Sequence, residues 1–322
     1  MPTTEVNVGI LGAGAFGTSL AICFSNNCSV SLFSFFADHA ESMKNTRSNN
    51  FLPGFQLSED ITIGNFSEVV TANFNYLLWA LPVKPSLDIL DDIKNTIDGS
   101  TIMICSKGLT QNGNFLSDEF ESRLPNSKIG CLSGPNFAAE LAEFRYSASN
   151  VAFNHIDDAI DCASRLSNRY FKLIPCDDII GAQLCGAAKN VVAIACGIVS
   201  GLELGQNTHA ALLSFAMSEI RELGLKLGAK EQTFSELCGF GDLVLTASSS
   251  DSRNMNLGKM LANSVDPAAI IGSNSVVYEG YETSRQISKL ARHHKIEMPI
   301  CNSVYMILHE KQSPNSILNV FR

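Results

Sequence analysis

The chain has 322 residues, of which 45% are apolar and 17% charged. At about 150 residues per domain this length predicts two domains with cores of their own, and the apolar share excludes a disordered chain. Lys and Arg number 23 against 32 Asp and Glu, a net charge of −9. No basic stripe marks a nucleic-acid binder, so an anionic ligand would have to be held by a few local cations. The ten cysteines, Cys23 to Cys301, include no CxxC pair and no Cys/His cluster at zinc spacing. Reduced, mostly buried thiols and a cytoplasmic protein without a metal are expected. The N-terminus has neither the basic nor the apolar segment of a leader. The longest apolar run, 191–202, is broken by glycine and falls short of the roughly 20 residues that span a bilayer, so no membrane insertion is expected.

In chain order, 6–11 reads as a buried strand and 16–26 as a helix with Leu20, Ala21 and Phe24 on one face. Strands follow at 30–35 and at 75–81, the latter stopped by Pro82. The stretch 86–96 has helical spacing at Leu87, Leu90 and Ile93, and further strands lie at 101–105 and 128–132. Strands alternating with helices predict βαβ units and a mainly parallel sheet. This is an α/β domain of Rossmann type, placed at 1–177. Beyond it the pattern turns long and helical. Asp177 or Asp178 caps a helix through Gln183, Leu184, Lys189 and Val192, and others lie at 210–227, 256–262, 281–293 and 299–310. An all-helical domain over 178–322 is the expectation.

Gly12-Ala13-Gly14-Ala15-Phe16-Gly17 follows the first strand and opens the first helix. In that setting the first glycine permits a tight turn. The second admits a pyrophosphate to the backbone, and the third lets helix and strand pack closely. The helix N-terminus offers N–H groups and partial positive charge to the phosphates. An acid that would bind the ribose of NAD is missing near the end of the second strand, where the chain reads Ser34-Phe35-Phe36-Ala37-Asp38. No Arg stands there for a 2′-phosphate, and Asp38 reads as a cap of the next helix. The choice between NAD and NADP stays open.

Further segments carry candidate chemistry. Lys107, in Cys105-Ser106-Lys107-Gly108-Leu109, follows a strand on the edge where open parallel sheets bind ligands, or is an ordinary loop lysine. Gly134 and Asn136, in Ser133-Gly134-Pro135-Asn136-Phe137-Ala138, form a turn that either faces a ligand or only caps a helix. Lys189 is the one cation in the small, apolar stretch 186–193. Burying an unpaired ammonium is costly, and desolvation lowers its pKa toward that of a proton donor near neutral pH. Gly239-Phe240-Gly241-Asp242 presents an acid, and Ser252-Arg253-Asn254 offers a fork for phosphate or a solvated surface. Val276-Val277-Tyr278-Glu279-Gly280 reads as a polar turn before a helix. The six histidines make no metal or nucleophile constellation.

Together the segments GAGAFGTSLA, SKGL, SGPNFAAELA, GAAKNVVAIACG, GFGDLVLT, SRN and VVYEGY, in this order over nearly the whole chain, resemble the NAD(P)-dependent glycerol-3-phosphate dehydrogenase family. The resemblance implies reversible hydride transfer between NAD(P)H and dihydroxyacetone phosphate, giving sn-glycerol 3-phosphate for phospholipid synthesis, in a cytoplasmic homodimer. It implies Lys189 as general acid and base, and Lys107 at the substrate and near the nicotinamide. Asn190, Asp242 and Thr246 would orient substrate and Lys189. Ser252, Arg253 and Asn254 would hold the phosphate, with Arg253 also near the cofactor. Gly134 and Asn136 would line the substrate pocket. Gly12, Gly14, Ala15, Phe16, Gly17, Phe35, Ala138, Val277 and Glu279 would contact the dinucleotide. Lys107, Lys189 and Arg253 would form a local positive site in which neighbouring cations depress the Lys189 pKa. The chain departs from the family at Asn136 (often Ser or Thr), at Ala15 and Phe16 (often Ser plus an aromatic residue), at Phe35 (commonly Arg or His) and at the extra Tyr278. A 3-hydroxyacid or 6-phosphogluconate type of dehydrogenase also has a lysine on a helix after its sheet domain, but lacks GFGDLVLT and SRN. A non-catalytic dinucleotide sensor is the reading from a different class.

Overall fold

A computed structural model describes residues 6–71, 74–263, 270 and 278–321. The chain forms two compact units, one of Met1–Ser106 with Leu116–Ile179 and one of Lys107–Phe115 with Ile180–Arg322. The segment Lys107–Phe115, inside the first half of the sequence, thus belongs to the helical unit.

The first unit is built on a sheet of β1 (Asn7–Leu11), β2 (Ser29–Ser34), β3 (Ile61–Asn65), β4 (Tyr76–Trp79), β5 (Thr101–Ile104), β6 (Lys128–Ser133), β7 (Ser147–Phe153) and β8 (Phe171–Cys176). Their spatial order is β3-β2-β1-β4-β5-β6-β7-β8. Every pairing is parallel except β6 with β7. Val8, Ile10 and Leu11 of β1 are fully buried, as befits a parallel sheet covered on both faces. The order reverses between β1 and β4, which is where such sheets bind ligands at their carboxyl edge. The helices of this unit are α1 (Ala15–Phe24), α2 (Ala37–Thr46), α3 (Val83–Ile97), α4 (Leu116–Arg123), α5 (Ala138–Ala142) and α6 (Ile156–Leu166).

Strands β3, β7 and β8 do not announce themselves in the sequence. β7 hides because Ser149 and Asn150 are buried polar residues within it. β8 carries Lys172 and Pro175, and Pro is tolerated there because the strand lies at the sheet edge. Asp38 does not cap α2. The cap position is Phe36, with no side-chain hydrogen bond, and Asp38 lies in the first turn.

The second unit packs around α7 (Ile179–Gly201), joined by α8 (Gln206–Leu227), α9 (Asp242–Ser248), α10 (Arg253–Ala262), α11 (Glu279–His294) and α12 (Pro299–His309). By length and composition α7 could cross a membrane. Leu184, Ala188, Val192, Cys196 and Val199 are instead fully buried in this unit's core, as expected for a helix apolar on all sides. A Cβ added to Gly197 would lie 2.1 Å from the Met255 carbonyl oxygen, and one on Gly258 would lie 2.1 Å from that of Ile194. Helices α7 and α10 therefore touch backbone to backbone, which no larger residue allows. That contact fixes where α10 begins relative to Lys189 and Asn190.

Candidate active site

The glycine turn leaves β1 and enters α1. Gly12 has φ +109°, and a Cβ there would lie 2.6 Å from the Ala80 carbonyl oxygen beyond β4. Only glycine satisfies both conditions. A Cβ on Gly17 would come within 1.9 Å of the Gly12 carbonyl oxygen, so the third glycine lets the helix close on the turn. Gly14 differs. It is the N-cap of α1 without a side-chain hydrogen bond, and a Cβ there meets nothing within 4 Å. The protein itself does not require glycine at this position, whereas a phosphate lying against the backbone would. The turn, the open side of Gly14 and the first-turn N–H groups of α1 fit a dinucleotide pyrophosphate.

Phe35 lies just past β2, half exposed, with its ring centroid 5.4 Å from that of Phe36 and 5.7 Å from that of Phe66. The edge of the sheet that would meet the adenosine is aromatic, where an acid or an Arg is usual. Ala15 and Phe16 are half-buried at the start of α1, and Ala138 begins α5. A Cβ on Gly134 would press 2.7 Å from Ser149 Cα. The Asn136 amide donates to the Pro135 carbonyl (2.9 Å) and the Ala148 carbonyl (3.3 Å), and Ser149 Oγ donates to its Oδ1. Asn136 is thus tied to β7 by its own side chain.

The helical unit gathers charge. Lys189, on α7, is 8% exposed, and Asp242, the first residue of α9, is 1% exposed. Lys189 Nζ donates to Asp242 Oδ1 at 2.5 Å and to Thr246 Oγ1 at 2.9 Å. Lys107 Nζ donates to the other carboxylate oxygen, Oδ2, at 2.6 Å. One buried carboxylate therefore bridges two ammonium groups. Asp242 is delivered by Leu237–Gly241, a single wide π turn whose Gly239 could not carry a Cβ, since it would lie 2.5 Å from the Thr233 carbonyl oxygen. Such turns are frequent at functional sites.

Burial pushes the Lys189 pKa down to about 8, with Asp242 pulling it back and Lys107 adding to the fall. Burial also pulls on Lys107, but the charge and hydrogen bond of Asp242 outweigh it and leave Lys107 above its ordinary value. The two lysines are thereby set apart, one a proton donor near neutral pH and one a fixed cation. Both expected causes act on Lys189: desolvation leads, and the neighbouring cation Lys107 adds to it. Arg253, by contrast, is exposed.

A chain of amides that ends on a carboxylate runs beside these charges. Asn190, the residue after Lys189, donates through Nδ2 to Glu279 at 3.1 Å, and its Oδ1 accepts from Asn254 Nδ2 at 3.0 Å. Asn254 Oδ1 accepts from the Gly280 backbone N–H at 3.1 Å. Asn254 therefore joins α7, α10 and α11. Ser252 caps α10, its Oγ accepting from the Met255 N–H at 3.2 Å. This leaves Arg253, exposed, as the first residue of that helix. Val277 lies outside the described residues. The sequence singled out Lys107, Lys189 and Asp242 separately. Their ion pairs, across 135 and 53 positions of chain, carry no local signal.

The N-terminal profile of the NAD-dependent glycerol-3-phosphate dehydrogenases matches residues 7–159, and the C-terminal profile matches 178–319. The chain belongs to the NAD-dependent glycerol-3-phosphate dehydrogenase family. The glycerol-3-phosphate dehydrogenase [NAD(P)+] of Dechloromonas aromatica is 35% identical over 94% of this chain and 93% of its own. That of Francisella tularensis is 36% identical over 98% and 96%. The crystal structure of glycerol-3-phosphate dehydrogenase from Coxiella burnetii superposes with a TM-score of 0.91 at 31% identity, covering 99% of both chains. The chain is an NAD(P)-dependent oxidoreductase.

Proposed function

We propose that Lys189 is the proton donor in this chain's reaction, the reversible reduction of dihydroxyacetone phosphate to sn-glycerol 3-phosphate with NAD(P)H. Bound NAD(P)H supplies the hydride. As the carbonyl carbon is reduced, charge develops on its oxygen, and a buried ammonium is the group to neutralise it. Lys189 gives that oxygen a proton; in the oxidation direction it takes the hydroxyl proton back. Asp242 and Thr246 hold the Lys189 ammonium in place, and Lys107 keeps a second positive charge in the cluster. Arg253, with Ser252 at the start of α10, binds the substrate phosphate, whose charge suits a planar guanidinium. Asn254 acts through Asn190 and Gly280. Gly12, Gly14 and Gly17 carry the pyrophosphate, and Phe35 meets the adenosine. The single observation behind this reading is the buried Lys189 ammonium, lowered to about 8 and held by Asp242 and Thr246.

The reduction requires protonated Lys189, so its rate falls as pH rises through about 8. The oxidation requires neutral Lys189, so its rate rises through the same window. The test is absorbance at the nicotinamide band with dihydroxyacetone phosphate, run with NADH and NADPH side by side. Lys189→Met is expected to lower turnover at least about 100-fold while dinucleotide binding persists. A loss of only a few-fold in folded protein removes Lys189 from the mechanism. The same comparison ranks the two dinucleotides, which the aromatic residues around Phe35 leave undecided. The family resemblance supports a homodimer in the cytoplasm supplying phospholipid synthesis, and sedimentation analysis measures the assembly directly.

A further inference from the structure

Behind the glycine turn sits a residue that no motif marks. Asn49 follows α2 and is 4% exposed, yet all four hydrogen-bonding positions of its amide are used. Nδ2 donates to the Ala13 carbonyl at 2.9 Å and to Thr18 Oγ1 at 2.7 Å. Oδ1 accepts from the Phe51 backbone N–H at 2.9 Å and lies 3.1 Å from His39 Nε2. A backbone carbonyl can only accept and a backbone N–H can only donate, so the amide has one orientation. His39 Nδ1 in turn lies 2.9 Å from Ser34 Oγ, which accepts from the Phe36 N–H at 3.2 Å. The network therefore runs from the glycine turn to the end of β2.

We propose that Asn49 is a positioning residue for dinucleotide binding, fixing the Ala13–Gly14 peptide so that the Gly14 N–H faces the pyrophosphate. The proposal rests on the reading that the dinucleotide lies on this turn. In a trans peptide the carbonyl and the following N–H share one plane and point in opposite directions. Asn49 holds the Ala13 carbonyl, so the Gly14 N–H points the opposite way, and a Cβ at Gly14 would meet nothing within 4 Å. Gly14, on one side of that peptide, offers little resistance to its rotation. A side-chain donor from outside the turn supplies the restraint that the turn's own sequence lacks. Preorganisation of this kind lowers the cost of binding.

The test titrates the full chain with NADH and with ADP-ribose, read by fluorescence and calorimetry. Wild-type protein that binds neither of these nor NADPH would overturn the dinucleotide reading itself. Given wild-type binding, Asn49→Asp keeps the size of the side chain and replaces the donor facing Ala13 by an acceptor. It is expected to weaken both ligands at least about tenfold, and Asn49→Ala about fivefold. Turnover at saturating NADH should stay within about twofold of wild type, since the loss is one of binding. Thr18→Val removes the other acceptor of Nδ2 and should lower thermal stability while NADH affinity stays within about twofold. Folded Asn49→Ala with wild-type affinity for both ligands, whatever its melting temperature, would sink the proposal. So would a loss in Asn49→Asp alone, because that would be charge repulsion of the pyrophosphate. If Asn49→Asp does not fold, Asn49→Ala reads the same quantity.

Discussion

The two units prepare for an anionic ligand in opposite ways. The glycine turn uses neutral groups: backbone N–H at Gly14 and α1, steered by packing at Gly12 and Gly17 and by the Asn49 amide. The helical unit uses buried charge: Asp242 bridging Lys107 and Lys189. Binding a phosphate asks for donors and room, which glycine supplies at no cost in desolvation. Moving a proton asks for a group whose pKa lies near ambient pH, which requires an ionisable side chain taken out of water. The second solution is the more fragile, because each charge in it depends on the others.

That difference predicts unequal consequences of single substitutions. Asp242→Asn strips the counter-charge from two buried ammonium groups. It should destabilise the fold by about 3–5 kcal/mol and move the pH midpoint of the reduction below that of wild type, as seen in denaturant melts and a pH–rate profile. An unchanged midpoint would mean that Asp242 does not tune Lys189. Gly17→Ala drives a methyl into the Gly12 carbonyl and should cost about 3 kcal/mol, with NADH affinity falling as the turn opens. Gly14→Ala is the sharper counterpart. Nothing in the protein opposes its methyl, so the melting temperature should hold while NADH affinity drops about tenfold. A variant that loses stability but keeps its affinity would break the neutral half of the comparison.

The smallest effect concerns Glu219 on α8, a buried carboxylate with no cation among the described residues. Its oxygens accept from the Ile300 and Cys301 N–H groups at 2.7 and 3.2 Å, at the N-terminus of α12. Burial still outweighs those bonds and pushes its pKa up to about 7. The folded chain therefore binds this proton more tightly than the unfolded chain does. Its contribution to stability is complete below about 4.5 and is lost as pH rises through about 7. Glu219→Gln should raise the melting temperature by about 3 °C at pH 8 and by much less at pH 5. An equal rise at both pH values would locate the effect in packing.

Much of the fold was legible because its signals are local. Strand β1, the glycines and α1 are contiguous, and each states its requirement within a few residues of the next. Strand β7 was hidden by Ser149 and Asn150, whose burial is decided by neighbouring strands, and β8 by a proline that only an edge position tolerates. In the site, Lys189 stood out as a cation in an apolar helix. The carboxylate it meets comes from another helix, and nothing near Asp242 in the chain names its partners. Asn49 escaped altogether, since a lone Asn after a helix reads as a turn residue.

By itself the sequence determined the glycine turn that opens α1, the lysine that is buried and the order of motifs that marks the family. These depend on conformational freedom and hydrophobic patterning, which act between neighbours in the chain. The tertiary structure decided which of two lysines gives up its proton more easily, what holds Asn254 and which way the Ala13–Gly14 peptide faces. Those outcomes depend on burial and on hydrogen bonds between residues far apart in the chain, and both arise only when the helices and strands pack.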